Sequence, residues 1–313
     1  MASFVARRLA KAAGLLLVIS AISFWLTRLL PGDPARAILG ITATRAQVAA
    51  ERRHLGLDTP VTGAYLHWLG NAVRGNLGSS WFDGEPVAQA IASKLPVTLS
   101  LAIGATVVAG LAGVAVGMLA AVRGGAADRL LNAVLTVAFA IPGFVLSLAL
   151  VVAFAIRLRW FPATGYVSPA ASPLLWLQSI TLPVLALAVG PAAIVAQQIR
   201  AAAADVLGKD YVRTLRSRGI GWLRLYGRHV LRNTAPAALT ALSIQFIGLL
   251  GGAIVVETVF ALPGLGSFAA QASTQGDIPE IQGLVIVLVC VEVAGNLLVD
   301  LCYAWLNPRV RAA

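Results

Sequence analysis

The chain offers few residues that could catalyse a reaction. A nucleotide site of the P-loop type needs a glycine-rich turn followed by Gly-Lys-Ser/Thr, because backbone amides and the lysine bind the phosphates. The segment 208–210, Gly-Lys-Asp, lacks the upstream glycine and the hydroxyl residue. The histidines His54, His67 and His229 are scattered and have no metal-ligand spacing with another histidine or a cysteine. We therefore predict no catalytic residue, metal or cofactor in this chain, so work driven by ATP and magnesium would need partner chains.

An acidic side chain inside a long apolar run is costly, so it usually faces a cavity or a partner. Glu257 lies at the outer end of the fifth such run. It could face a pore as part of a gate, or it could reach water at the membrane interface, and the pattern leaves both open. Together with Phe260 and Gln245 it forms the candidate translocation path or gate.

Two further acids lie in the last apolar run. Glu292 and Asp300 are eight residues apart and lie roughly on one side of a helix. We expect them to pair with Arg200 or with a partner subunit rather than to contact cargo.

The composition indicates that most of the chain faces lipid. Hydrophobic residues make up 58% and charged residues 12%, about half the charge of a soluble domain. The mean hydropathy is +0.83. Apolar runs of about 20 residues recur, each long enough to cross a hydrocarbon core of about 30 Å. A net charge of +11 would also suit a nucleic-acid binder, but cytoplasmic lysines and arginines of a membrane protein explain it better. We predict no nucleic-acid partner.

Six apolar runs predict an all-α, polytopic membrane protein with six transmembrane helices. They cover about 9–30, 96–122, 130–156, 180–203, 235–259 and 281–305. The first is too long for a signal peptide and lacks a cleavage motif, so we interpret it as a retained anchor. Proline and glycine at 142–143, 183 and 190–191 are expected to interrupt spans three and four. Gly248, Gly251 and Gly252 are expected to allow close helix packing in span five.

The distribution of basic residues predicts that both termini are cytoplasmic. Of the 24 lysines and arginines, 15 fall in the segments that this orientation places inside. The predicted divisions are an N-terminal transmembrane helix at 1–30, an extracytoplasmic segment at 31–95, a five-helix core at 96–306 with a cytoplasmic loop at 205–232, and a cytoplasmic tail at 307–313. Within the extracytoplasmic segment, the pattern at 44–54 predicts a short helix capped by Thr42 or Thr44.

The cytoplasmic loop contains an amphipathic segment. Asp205 or Asp210 can cap a short helix there, and Gly219 can end it. Its apolar side would carry Tyr211, Val212 and Leu215, with Arg213, Arg216 and Arg218 elsewhere. From composition alone, a basic anchor that binds lipid headgroups is the simple alternative.

This loop resembles the cytoplasmic loop of ABC importer permeases, whose short coupling helix docks into a groove on the ATPase. The peptide-permease pattern Asp-Tyr-Val-Arg-Thr-Ala-Arg-Ala-Lys-Gly is matched by Asp210, Tyr211, Val212, Arg213, Thr214, Leu215, Arg216, Ser217, Arg218 and Gly219. Leu215 and Ser217 stand where the family usually has alanine, and Arg218 stands where it has lysine. The larger Leu215 would alter the fit in the ATPase groove, so the choice of partner would differ.

Further resemblances follow in order along the chain. They are Leu-Pro-Gly-Asp-Pro at 30–34, Leu-Gly-Leu-Asp at 55–58, His-Val-Leu-Arg-Asn at 229–233, Val-Glu-Thr-Val-Phe at 256–260, Pro-Gly-Leu-Gly at 263–266, Asn-Leu-Leu-Val-Asp at 296–300 and Asn-Pro-Arg-Val-Arg at 307–311. The Pro-Gly-Asp-Pro sequence and the long first outer loop are similar to the B-type subunit of dipeptide/oligopeptide importers.

The resemblance implies a type I ABC importer permease of a bacterial inner membrane, a transport subunit rather than an enzyme. Its expected partners are a C-type permease, two ATPase subunits that bind ATP and magnesium, an extracytoplasmic peptide-binding lipoprotein and membrane lipids. A nickel importer of the same family is an alternative cargo assignment. A proton-coupled secondary transporter using Glu257, Glu292 and Asp300, or a membrane scaffold without a path, are alternatives of another class.

Overall fold

A computed structural model describes residues 2–29 and 33–306. The helices are α1 (Ala2–Leu29), α2 (Pro34–Leu39), α3 (Arg45–His54), α4 (Val61–Val73), α5 (Val87–Arg123), α6 (Gly125–Ala140), α7 (Gly143–Leu150, continued by π-helical Val151–Arg157), α8 (Pro173–Leu207), α9 (Asp210–Ser217), α10 (Trp222–Arg224, continued by π-helical Leu225–Val230), α11 (Leu231–Val259), α12 (Leu265–Gln275) and α13 (Ile278–Leu306). Within the described ranges the only strand-like pairing is an isolated bridge between Ser79 and Pro86. The predicted all-α class is confirmed.

Within the residues that the structure describes, five helices are long and apolar enough to cross a membrane. They are Ala10–Leu29, Val87–Arg123, Pro173–Leu207, Trp222–Val259 and Ile278–Val299. The predicted third span is a broken pair, Asp128–Ala140 and Gly143–Arg157, bent by 95°. Ile141 before the break is extended, with ψ 120°, because the ring of Pro142 disfavours a helical residue ahead of it. The six-span prediction therefore holds when this bent pair counts as one span.

Two helices differ in detail from the sequence prediction. α5 begins at Val87 and carries Pro96 in its interior, so the helix begins before the predicted span. Its 37 residues extend about 55 Å, well beyond a hydrocarbon core. α8 continues through Pro183 and Pro191, so the interruptions predicted there were wrong. Packing against α6, α7 and α11 holds α8 helical despite the missing amide donors.

The chain forms two compact units. The first comprises Met1–Val97 and Pro263–Val293, and the second comprises Thr98–Leu262 and Ala294–Ala313. The predicted boundary at 95/96 falls inside α5, and the functional division into anchor, outer segment, core and tail stays a prediction. The cytoplasmic placement of both termini also stays a prediction. Residues 30–32 of the Leu-Pro-Gly-Asp-Pro match and the tail 307–313 lie outside the described residues.

The first unit is held by apolar packing and by hydrogen bonds to the buried carboxyl group of Asp277. Its core consists of Val87, Ala90, Ile91, Leu265, Phe268, Ala272 and Leu284. Asp277 is fully buried and accepts hydrogen bonds from the Ser80 hydroxyl at 2.7 Å and the Trp81 amide at 3.0 Å.

α3 begins at a capping box formed by Thr44 and Gln47, which confirms the cap predicted there.

Close helix packing in the second unit uses glycines other than those predicted. A Cβ on Gly113 or Gly117 of α5 would lie 2.7 Å from Val195 or 2.5 Å from the Ala196 carbonyl oxygen of α8. Gly248 and Gly251 have no heavy atom within 4 Å of such a Cβ, and Gly252 meets only Leu187 at 3.5 Å. Among the described residues, therefore, Gly248 and Gly251 make no close approach, and α5 and α8 approach closely at Gly113 and Gly117.

Candidate functional site

The predicted coupling segment is a helix with a well-defined end. α9 follows Lys209, whose side chain makes no capping bond, and Asp210 is its first residue. Asp205 lies inside α8, so neither aspartate is the N-cap as predicted. Gly219 has φ +73°, a conformation that favours glycine, and its amide donates to the Arg216 carbonyl at 2.9 Å. The Ile220 amide donates to the Leu215 carbonyl at 3.3 Å, which completes a Schellman motif and confirms Gly219 as the stop.

An apolar cluster anchors the inner side of α9. The fully buried Val212 packs with Ala203, Val206, Leu225 and Val230, and the half-buried Leu215 adds to this cluster. Tyr211 does not join it, because its side chain is exposed and its hydroxyl accepts a hydrogen bond from the Asn233 amide nitrogen at 3.3 Å. The predicted apolar side of the helix is thus correct for Val212 and Leu215 and wrong for Tyr211.

The opposite side of α9 is exposed and basic. It presents Tyr211, Arg213, Thr214, Arg216, Ser217, Arg218 and Gly219. Arg213 lies 3.8 Å from Asp210, and Arg216 donates to the Tyr226 hydroxyl at 3.3 Å, both at the surface. A helix fixed by buried apolar residues and exposing polar ones can dock on a protein surface as a rigid body.

Arg200 has a different partner from the one predicted. Its Nη2 donates to Oδ2 of Asp128 at 2.6 Å, and its Nε donates to Oδ1 of the same carboxylate. Asp128 lies in the first turn of α6, where a carboxylate is favourable, and α6 packs on α8. Glu292 forms no ion pair with any described residue, and the side chain of Asp300 is not among those described. The predicted pairing of Arg200 with Glu292 is therefore wrong, since Arg200 binds Asp128 between α6 and α8 instead. The expected role of Asp300, and the pairing of either acid with a partner subunit, stay predictions.

The candidate gate residues separate into two places. Glu257 is fully buried, and its Oε1 accepts a hydrogen bond from the Thr98 hydroxyl at 2.6 Å. The alternative of an interfacial acid reaching water is therefore wrong for this structure. Phe260 is also buried, and its carbonyl accepts from the Gly165 amide at 3.2 Å. Gln245 lies twelve residues before Glu257 in α11, about 18 Å along the helix, so the structure does not bring it to the other two.

The described side chains contain no group of three or more histidines, cysteines, aspartates or glutamates placed to hold a metal ion. The notable features are thus an anchored basic helix at one side of the second unit and a buried acid that joins α5 to α11.

Similarity to known proteins extends over the whole chain. Residues 113–312 match the family profile for the binding-protein-dependent transport system inner membrane component, and residues 1–102 match its N-terminal counterpart. The chain is 36% identical over 312 residues to the "Probable peptide ABC transporter permease protein y4tP" of Sinorhizobium fredii, covering 99% of this chain and 100% of the relative. It is 37% identical over 312 residues to the glutathione transport system permease protein GsiC of Escherichia coli K12, covering 99% of each.

The fold is also that of a solved transporter. A chain of the MetNI methionine ABC transporter, in inward-facing conformations, matches with a TM-score of 0.55 and 20% identity, over 69% of this chain and 97% of that one. At this identity the likeness concerns the fold, which is the type I importer permease fold expected from the sequence. Because the family profile covers more than half of the chain and the relatives cover nearly all of it, this protein belongs to the binding-protein-dependent transport system inner membrane components, the multi-pass permeases of bacterial ABC importers.

Proposed function

We propose that this chain is the B-type permease of an importer that passes di- and oligopeptides across the inner membrane. The observation that carries the proposal is the end-to-end similarity to relatives named for peptide and glutathione transport, at 36–38% identity. Glutathione is itself a tripeptide, so both names describe cargo with a peptide backbone. A C-type permease would complete the path, and an extracytoplasmic binding protein would deliver the peptide.

Energy would reach the path through α9. The sequence contains no P-loop, so hydrolysis of ATP with magnesium is assigned to two partner ATPases. The exposed residues of α9 would dock on these subunits. Val212 and Leu215 would transmit the movement through the apolar cluster to α8 and to the π-helical segment Leu225–Val230 that leads into α11. The buried attachment of α9 favours a coupling role. A movement of the ATPase can shift the inner ends of the spans only if α9 moves together with the residues it packs against.

The buried Glu257 is proposed as a structural part of the outer gate rather than as a contact for cargo. Its hydrogen bond to Thr98 joins the outer ends of α5 and α11. Three residues after Glu257, the Phe260 carbonyl accepts a hydrogen bond from the Gly165 amide. Opening of the path would have to move these ends together or break the bond. This role does not require a proton to be carried, which separates it from the secondary-transporter alternative.

The cargo assignment is tested by the ATPase activity of the complete complex in lipid. The binding protein would be loaded in turn with di-, tri- and pentapeptides, glutathione and nickel. Stimulation by peptides and not by nickel is expected. Stimulation by nickel alone would assign the chain to the nickel branch, and hydrolysis unaffected by any loaded binding protein would overturn the importer proposal.

A further inference from the structure

The first unit contains a cavity of about 600 Å³ between the end of α1, α4 and the start of α13. Its walls are partly aromatic, with Phe24, Trp68 and Trp81, and they carry one guanidinium, that of Arg28. None of the described residues that line it is an aspartate or glutamate. The cavity therefore combines one positive charge, which suits an anion, with aromatic side chains that offer apolar contact area to the rest of the ligand.

Three side chains that line this cavity carry a buried polar atom without a hydrogen-bond partner. These atoms are Nε of Arg28, Nε1 of Trp68 and Oε1 of Gln282. Gln282 is fully buried, and only its amide nitrogen is satisfied, by a bond to the Thr27 hydroxyl at 3.3 Å. Buried polar groups are nearly always paired, so the two unpaired donors, on Arg28 and Trp68, indicate a ligand that accepts hydrogen bonds, whereas the unpaired oxygen of Gln282 needs a ligand group that donates one.

Arg28 carries a charge that the described part of the chain leaves uncompensated. One of its terminal nitrogens donates to the Leu57 carbonyl at 3.0 Å, and its guanidinium lies 5.7 Å from the centre of the Phe24 ring. It forms no ion pair with a described residue. By contrast, the nearby Arg52 pairs with Asp33 at 3.1 Å and Asp58 at 3.2 Å. These carboxylates raise the pKa of Arg52, whereas Arg28 faces the cavity without such a partner.

The surroundings of the cavity fit the lipid–water boundary. On the predicted orientation Arg28 lies at the outer end of the first span. Beside it Trp25, Leu26 and Leu29 of α1 are each more than half exposed, and so is Leu66 of α4. α4 is apolar yet buries no residue fully. Aromatic residues concentrate at membrane interfaces, so these exposed side chains are placed to contact acyl chains.

We propose that this cavity binds the phosphate of an anionic phospholipid from the outer leaflet, with Arg28 and Trp68 as donors. The acyl chains would lie along the exposed apolar residues of α1 and α4. A soluble phosphate or the carboxylate of a peptide also has anionic oxygens that accept hydrogen bonds, but it has no acyl chain to contact that apolar surface. The proposal does not depend on the cargo, so its failure would leave the proposed transport function intact.

The test is native mass spectrometry of the purified complex, stripped of lipid and titrated with dioleoyl phosphatidylglycerol. Arg28→Gln should weaken binding about tenfold, because it removes the charge that faces the phosphate. Arg45→Gln, an exposed arginine of the same unit that does not line the cavity, should bind like the wild type. Equal binding by both variants, or equal weakening in both, would overturn the proposal.

Two further measurements keep the result independent of folding. Trp68→Phe keeps a smaller aromatic side chain and removes the indole N–H donor, so about threefold weaker binding in an assembled complex is expected. Binding equal to the wild type in this variant would contradict the assignment. Competition with glycerol 3-phosphate and with a tripeptide identifies the source of the anion. Displacement of phosphatidylglycerol by either soluble anion at a similar concentration would overturn the lipid assignment.

Discussion

The end of α9 offers a matched pair of glycines for testing how the chain is coupled to its ATPases. Gly219 has φ +73° and forms the Schellman motif, whereas Gly221, two residues on, has φ −59°. A Cβ on either residue would meet no heavy atom within 4 Å. Alanine at the two positions therefore differs in backbone conformation and not in steric contact.

The expected cost follows from the backbone angle. An L-residue in the left-handed region costs about 1–2 kcal/mol, so Gly219→Ala should reduce the population of the closed helix end about five- to thirtyfold. Gly221→Ala adopts an ordinary conformation and should be within about 0.5 kcal/mol of the wild type. Because Val212 still anchors the helix in both variants, we expect the complex to assemble.

The assay is peptide uptake per ATP hydrolysed by the complex reconstituted in vesicles with its binding protein. Gly219→Ala should hydrolyse ATP at the basal rate with reduced uptake for each ATP, and Gly221→Ala should behave like the wild type. Equal coupling in the two variants would refute the assignment of α9 as the coupling element. A loss of assembly in Gly219→Ala alone would assign it instead to subunit attachment.

Three other predictions concern stability, read from thermal unfolding in detergent. Gly117→Ala should cost about 1–3 kcal/mol, since its Cβ would lie 2.5 Å from a carbonyl oxygen of α8. Gly251→Ala meets no atom inside helix α11 and should be neutral or stabilise by up to about 1 kcal/mol. Equal effects of the two variants would contradict the packing described. Ser80→Ala should cost about 1.5–3 kcal/mol because it removes a hydrogen bond to the buried carboxylate of Asp277, and a neutral result would count against that bond. Asp128→Asn should cost only about 0.5–1 kcal/mol, since its ion pair with Arg200 is partly exposed. A melting temperature equal to that of the wild type would show that the pair does not stabilise the fold.

Local signals in the sequence were enough to predict the main elements. Apolar length located five of the spans, and the pattern around Thr44 located the cap of α3. The change from apolar to basic residues with a following glycine located α9 and its end at Gly219. Each of these depends on neighbours within a few turns of the same helix, which is why the sequence alone could predict them.

The features that the sequence did not predict depend on packing between distant segments. Thr98 and Glu257 are 159 residues apart, and Arg200 and Asp128 are 72 apart, so only the folded helices bring them together. Prolines were equally ambiguous. Pro142 follows the end of a helix, whereas Pro183 lies inside α8, because the helices packed against α8 keep it helical. Nothing in the local sequence distinguishes these two prolines.

The central claim is that this chain is a path powered by partner ATPases, and transport in proteoliposomes tests it most directly. Uptake of labelled peptide would be measured for the complete complex with ATP, and for this chain alone under a pH gradient. We predict uptake only when both permeases, the ATPases, the loaded binding protein and ATP are present. Peptide uptake by the chain alone, driven by the pH gradient, would contradict the account and assign the buried and intramembrane acids to proton coupling.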